Sequence, residues 1–235
     1  MTDSEAIQRF RALYSGGLAQ KRRDAGDPSA LAPWQSTSWM GKPVSKCPMD
    51  LWVYQELLYE TQPDVLLECG TSGAGSAFFF ASIFDFIGKG HVVTVDVDVY
   101  LHLRREHPRI TYLVGDCLSE EIMSVMRECA RGKATMVSLD STHTYVHVKQ
   151  ELAVYAPLVT PGQYCVVEDI GIFDEASAER GPQFTPAILA DLDIGDPYWG
   201  TLAVAEFCRE HPEFVQDVTR ERHLMTSFAW LRRDR

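Results

Sequence analysis

Five short apolar runs, at residues 65–69, 91–97, 110–115, 135–139 and 163–167, recur along the chain with helix-length stretches between them. They are rich in Val, Ile and Leu, as strands are when helices cover both faces of a parallel sheet. The intervening stretches, Ser76 to Ile87, a short one at 101–106, Glu120 to Ala130 and Tyr145 to Pro157, read as helices. Such βαβ repetition implies a doubly wound, mostly parallel α/β sheet. Beyond Pro161 the rhythm changes. Residues 170–200, with Gly171, Gly181, Pro182, Pro186, Gly195, Pro197 and Gly200, read as a long loop or cap, and Thr201 to Glu210 as a helix. Residues 214–218 and 227–231 then alternate with period two and predict a terminal antiparallel pair, giving seven strands with the last one antiparallel.

Ahead of the sheet, residues 4–14 and the amphipathic stretch Met49 to Glu60 read as helices, joined by a Pro- and Ser-rich segment, Asp27 to Pro48, with Trp34 and Trp39. Residues 1–62 are expected to form a helical arm or lid over the sheet's ligand edge, and residues 63–235 the main domain; a plain surface loop is the other reading of the joining segment. A chain of 235 residues, 46% hydrophobic, can bury one good-sized core. Its net charge of −11 offers no basic stripe for nucleic acid. Six cysteines without CxxC spacing read as buried thiols in a reducing cytoplasm, and neither a secretory signal nor a membrane span is expected.

Ligands of open α/β sheets collect at the carboxyl ends of the strands, and the first strand-turn-helix unit usually builds the site. Here that unit runs Glu68-Cys69-Gly70-Thr71-Ser72-Gly73-Ala74-Gly75. A dinucleotide fingerprint needs GxGxxG, with a helix N-terminus receiving a pyrophosphate. Ser72 stands where the second glycine belongs, and Glu68 would repel phosphate but attract the cationic amino-acid end of S-adenosylmethionine. Gly70 and Gly73 would let the backbone turn tightly against the ligand. Asp96, ending the next strand, is the candidate for the ribose hydroxyls, and Asp116 is placed to flank the adenine. Thr71, Ser76 and Cys117 complete the candidate cofactor set. Strand-end aspartates also serve as helix caps, and a glycine turn also serves as a plain tight turn.

Asp140 and the pair Glu168-Asp169 close two successive strands. Neighbouring strands lie about 4.8 Å apart, so one hard dication such as Mg²⁺ could touch acids on both. Glu168 and Asp169 face opposite sides of a regular strand, so both can contribute only if the alternation breaks there. The expectation is a trio of carboxylates, Asp140, Glu168 and Asp169, converging on a metal ion with no ammonium of the protein's own between them. His143 is the candidate general base, with a surface or helix-start role as its alternative; Asp140 joins it in the catalytic set. His147 and Lys149 are weaker candidates on the following helix.

The stretches Lys46-Cys47-Pro48-Met49-Asp50-Leu51-Trp52-Val53-Tyr54-Gln55-Glu56, Glu68-Cys69-Gly70-Thr71, Leu139-Asp140-Ser141-Thr142-His143, Tyr155-Ala156-Pro157-Leu158-Val159 and Val167-Glu168-Asp169 resemble the cephalosporin hydroxylase/rhamnosyl O-methyltransferase family, over residues 39–232. That resemblance implies a Rossmann-like class I methyltransferase fold, dependence on S-adenosylmethionine and Mg²⁺, and methyl transfer to a hydroxyl of a small molecule, a sugar or glycosylated natural product. It maps Asp140, Glu168 and Asp169 to the metal, Glu68, Gly70 and Asp96 to the cofactor, and His143 to the base. Thr142 stands where the family pattern carries a second acid, and residues 173–199 diverge, so the acceptor can differ. A homo-oligomer is expected. The alternatives are an NAD-dependent oxidoreductase or epimerase, which lacks its GxGxxG here, and a non-catalytic cofactor-binding protein.

Overall fold

The apolar runs pair as the alternation demands. A computed structural model of the chain describes residues 18–27, 29–31, 33–97, 104–170, 200–221 and 229–234. Its main sheet holds β1 (Val65–Cys69), β2 (Val92–Asp96), β3 (Ile110–Val114), β4 (Thr135–Leu139), β5 (Tyr164–Val167), β6 (Phe214–Gln216) and β7 (Ala229–Arg233). Their spatial order is β3-β2-β1-β4-β5-β7-β6, with β7 antiparallel to both its neighbours and the pairs from β3 to β5 all parallel. The strand order turns back between β1 and β4, so a crevice belongs at their carboxyl ends.

Seven helices accompany the sheet among the described residues: α1 (Leu18–Asp24), α2 (Pro48–Thr61), α3 (Gly75–Ile87), α4 (Glu120–Ala130), α5 (Tyr145–Tyr155), α6 (Gly200–Glu210) and the short α7 (Val218–Glu221). Local chemistry sets their ends. The Ser119 side chain caps α4 by accepting from the Ile122 N–H, Glu120 and Glu121 fill its first turn, and Arg127 lies in its last. Thr144 caps α5 in the same way. Helix α2 begins with Pro48 and α3 ends at left-handed Gly88. The strand expected at 214–218 stops at Gln216 because Asp217 accepts from the backbone N–H and hydroxyl of Thr219 and starts α7.

Period-two alternation sends each strand's apolar residues to two cores. Leu66, Val92, Met136, Val166 and Trp230 face α2 and α3, where Tyr54, Leu57, Leu58, Phe80 and Phe84 meet them. Leu67, Val95, Val137, Cys165 and Leu231 face α4, α5 and α6 through Met126, Leu152 and Phe207. Each such fully buried side chain contributes about 1.5–3 kcal/mol relative to an exposed one.

The segment before α2 does reach the ligand edge. A 3₁₀ turn, Pro33–Ser36, leads into a two-residue ribbon that pairs Ser38 with Pro43 and Trp39 with Lys42. Trp39 Nε1 donates to Ser82 Oγ at 2.8 Å, and its ring meets the edge of Phe79 at 4.9 Å. A Cβ on Gly75 would lie 2.1 Å from the Pro43 carbonyl oxygen, so only glycine lets the arm rest on the start of α3. The helix expected at 101–106 is corrected in part, since residues 104–106 are not helical. Residues 101–103, the helix expected at 4–14 and the cap at 171–199 lie outside the described residues. No helix among the described residues is long and apolar enough to cross a membrane.

Candidate active site

One rung of the sheet breaks its apolar pattern. Glu68 on β1 stands in register between Thr94 on β2 and Ser138 on β4, and all three are fully buried. Buried polar groups need partners. The Thr94 hydroxyl donates to Glu68 Oε2 at 2.6 Å and shares a 2.6 Å hydrogen bond with Thr71. Glu68 Oε1 has no partner among the described residues. Burial pushes the Glu68 carboxyl up to about 7, against the opposing pull of the Ser76 and Thr94 hydroxyls and the Lys46 charge.

On the other side of this rung the arm delivers a cation. Lys46, just ahead of α2, is 6% exposed, and its ammonium donates to Asp140 Oδ2 at 2.5 Å and to Glu168 Oε2. Glu168 Oε1 accepts from Tyr54 at 2.6 Å and from Ser138 at 2.9 Å, so both its oxygens are engaged. Burial works against the Lys46 charge, but the two carboxylates overcome it and hold the ammonium well above its ordinary range. Burial, with the Glu168 charge behind it, likewise raises the Tyr54 hydroxyl and keeps it a donor.

The expected carboxylate trio is therefore corrected. A lysine ammonium fills the gap between Asp140 and Glu168, and Glu168 is turned toward Tyr54 and Ser138. The alternation does break at the end of β5: Asp169 adopts a left-handed φ of 55°, a conformation that Asp visits more readily than most residues. Asp169 then joins Asp140 and His143, whose ligand atoms all lie within 4.8 Å of one another, with His143 Nε2 3.8 Å from Asp169 Oδ2. Burial raises both aspartates. Lys46 opposes the shift at Asp140 while Asp169 adds to it, and His143 opposes it at Asp169. Three carboxyl groups face a single ammonium here, an excess of acid that one divalent cation would balance. The donor set fits such an ion through Asp140 and Asp169.

The turn after β1 carries left-handed residues at Gly70 (φ 98°), Ser72 (φ 42°) and Ala74 (φ 60°), and Gly73 is not among them. A Cβ on Gly70 would lie 1.9 Å from the Asp140 backbone oxygen, so this glycine lets the ends of β1 and β4 touch. Asp96 Oδ2 accepts from the Ser72 N–H at 2.7 Å and ties β2 to the turn. Ser76 is buried at the start of α3 beside Glu68. Asp116 and Cys117 are not brought to this group. Asp116 Oδ1 accepts from the Leu118 N–H at 2.9 Å in the turn before α4, and Cys117 is buried in the core on the opposite face. Trp39 packs on Phe79, and the side chain of Trp34 lies outside the described residues. Lys149 pairs with Glu206 at 2.8 Å on the surface, whereas His147 turns inward toward Cys117.

Residues 32–234 match the family described as Rhamnosyl O-methyltransferase/CmcI. The chain belongs to that family. Among similar members, the rhamnosyl O-methyltransferase of Mycobacterium leprae (strain TN) is 32% identical over 203 residues, covering 83% of this chain and 81% of the relative. That of Mycobacterium tuberculosis (strain ATCC 25618 / H37Rv) is 37% identical over 147 residues, 59% of either chain. Among solved structures, an apo-structure of CmcI superposes with a TM-score of 0.59 at 19% identity, covering 91% of this chain and 83% of that one. MycE methyltransferase from the mycinamycin biosynthetic pathway, in complex with Mg, SAH and mycinamycin VI, gives 0.53 at 18% identity over 100% of this chain and 62% of that one. Their shared fold is that of class I methyltransferases. As a member of the Rhamnosyl O-methyltransferase/CmcI family, the chain is an S-adenosylmethionine-dependent O-methyltransferase, and the oxidoreductase reading falls with that assignment.

Proposed function

We propose that this chain methylates a hydroxyl of a sugar or glycosylated natural product, with Mg²⁺ bound beside the methyl donor. The observation that carries the reading is the meeting of Asp140, His143 and Asp169 at the carboxyl edge of the sheet. The mycobacterial relatives are named for rhamnosyl groups, and the MycE complex holds Mg, SAH and mycinamycin VI. S-adenosylmethionine supplies an electrophilic sulfonium methyl, and a hard dication supplies positive charge that acidifies a nearby hydroxyl.

The chain's own residues divide the remaining work. Asp140 and Asp169 offer the oxygen ligands that a hard cation prefers. His143 Nε2 is thereby left to take the acceptor's proton, and Asp169, 3.8 Å away, stabilises the imidazolium that results. Glu68 Oε1, a buried acceptor without a partner, suits the ammonium of the donor's amino-acid end, and Asp96 at the end of β2 suits its ribose. The arm, pinned by Trp39 and Gly75 and tied inward by Lys46, covers this edge and excludes water, so orientation in a dry site supplies much of the rate.

The test is a mass-spectrometric screen of rhamnosides and other glycosides for a gain of one methyl group, run with Mg²⁺ and with EDTA. Methylation that persists unchanged in EDTA would remove the metal from the reading. Methylation confined to acceptors without sugars would remove the substrate class.

A further inference from the structure

On the face of the sheet away from Lys46, four side chains that bind metals well come together from three parts of the fold. Cys69 closes β1, Cys117 precedes α4, and His147 and Glu151 stand one turn apart on α5, on the same helix face. Cys117 Sγ lies 3.7 Å from His147 Nε2 and 3.6 Å from Glu151 Oε1, and those two atoms are 3.6 Å apart. The ligand atoms of Cys69, Cys117 and Glu151 all lie within 4.8 Å of one another. Donors around a tetrahedral zinc ion, at bond lengths of about 2.0–2.3 Å, stand about 3.3–3.8 Å apart. Three of these contacts already have that spacing, and Cys69 Sγ stands within 4.8 Å of Cys117 Sγ and of a Glu151 carboxylate oxygen.

We propose that Cys69, Cys117, His147 and Glu151 form a tetrahedral site for Zn²⁺ or a similarly thiophilic divalent cation, distinct from the Asp140–His143–Asp169 group. The donor types separate the two sites: thiolate and imidazole favour zinc, whereas carboxylate oxygens favour magnesium. Cys69, Cys117 and Glu151 are almost wholly buried, and the side chain of His147, 22% exposed, forms the entrance. Ser141 Oγ donates to Glu151 Oε1 at 2.7 Å and the Tyr155 hydroxyl donates to the Cys117 carbonyl at 2.8 Å, which orient these two ligands, while the 2.9 Å contact of Ser141 Oγ with His147 Nε2 is given up when that nitrogen takes the cation. Without a metal, the Cys69 thiol and then His147 hold the Cys117 thiol down at about 7, and Cys117 with Glu151 lifts His147 to about 10. Loading exchanges the protons on His147 Nε2 and on the cysteine sulfurs for the cation and releases them to solvent.

The experiment is a Co²⁺ titration of the chelator-treated full chain, followed by absorption spectroscopy. The expected result is a near-ultraviolet sulfur-to-cobalt charge-transfer band with visible bands of tetrahedral strength, displaced by Zn²⁺ and indifferent to excess Mg²⁺. Cys69→Ser and Cys117→Ser should each weaken the band, the double variant should abolish it, and Asp140→Asn should leave it. His147→Ala, at the exposed edge, should keep the far-ultraviolet dichroism of the parent while weakening Co²⁺ binding about tenfold or more. Absence of the charge-transfer band, its survival in the double cysteine variant, or an unchanged affinity in folded His147→Ala would overturn the proposal.

Discussion

Removing the Lys46 ammonium would leave Asp140 and Glu168 facing each other with no compensating charge, one of them 1% exposed. Lys46→Ala should therefore lower stability by about 3–5 kcal/mol, the usual cost of breaking one side of a buried ion pair. Urea denaturation checks this, and adding Glu168→Gln should recover part of the loss; a loss below 1 kcal/mol would mean the contact is worth no more than an exposed pair (about 0–1 kcal/mol). Asp140→Ala should abolish methyl transfer while leaving S-adenosylmethionine binding near the parent value in calorimetry, because Glu68 and Asp96 lie elsewhere. Concurrent loss of binding would show that Asp140 serves the donor as well. His143→Ala should slow transfer by about 10²-fold or more if the imidazole takes the proton. Asp140, His143 and Asp169 were legible in the sequence as strand-end residues. Lys46 was not, although it heads the Lys46-Cys47-Pro48 stretch, because its partners lie 94 and 122 positions away and no local pattern announces such a contact.

Helices and strands were legible wherever their own chemistry sets them. The runs at 65–69 and 135–139 and the helix at 120–130 stand where alternation and the Ser119 cap put them. The ribbon before α2 was not legible as structure, since two residues per strand carry no period. Its contact with α3 makes a sharp test. In Gly75→Ala the new methyl would meet backbone oxygen, so the arm must lift, and Trp39 should lose its bond to Ser82. A red-shifted emission that disappears when Trp39→Phe is added would report the lift. Two features hid the second cluster of ligands: Cys69 and Cys117 lack any metal-binding spacing, and His147 reads as a surface position on α5. The polar letters Thr94 and Ser138 inside apolar strands were the available signal for the buried rung.

For the molecule as a whole, Glu68 makes stability depend on pH in an unusual direction. Its folded value of about 7 exceeds the ordinary 4.5, so between those limits the folded chain holds a proton that the unfolded chain has released. Stability should fall as pH rises from 4.5 to 7, by about 3 kcal/mol if Glu68 acts alone. Glu68→Gln should flatten that part of the profile in parallel denaturation series, and an identical slope in the variant would dismiss the effect. Strand order and the ligand edge followed from βαβ repetition because covering both faces of a parallel sheet leaves few arrangements. What lies between the two ends of the chain's buried charge did not follow. Lys46 belongs to the arm and its acids to the sheet, so the two portions form one electrostatic unit. A recombination breakpoint near residue 62 would hand one parent's acids to another parent's arm, and chimeras should survive only when the incoming arm brings its own cation to that spot.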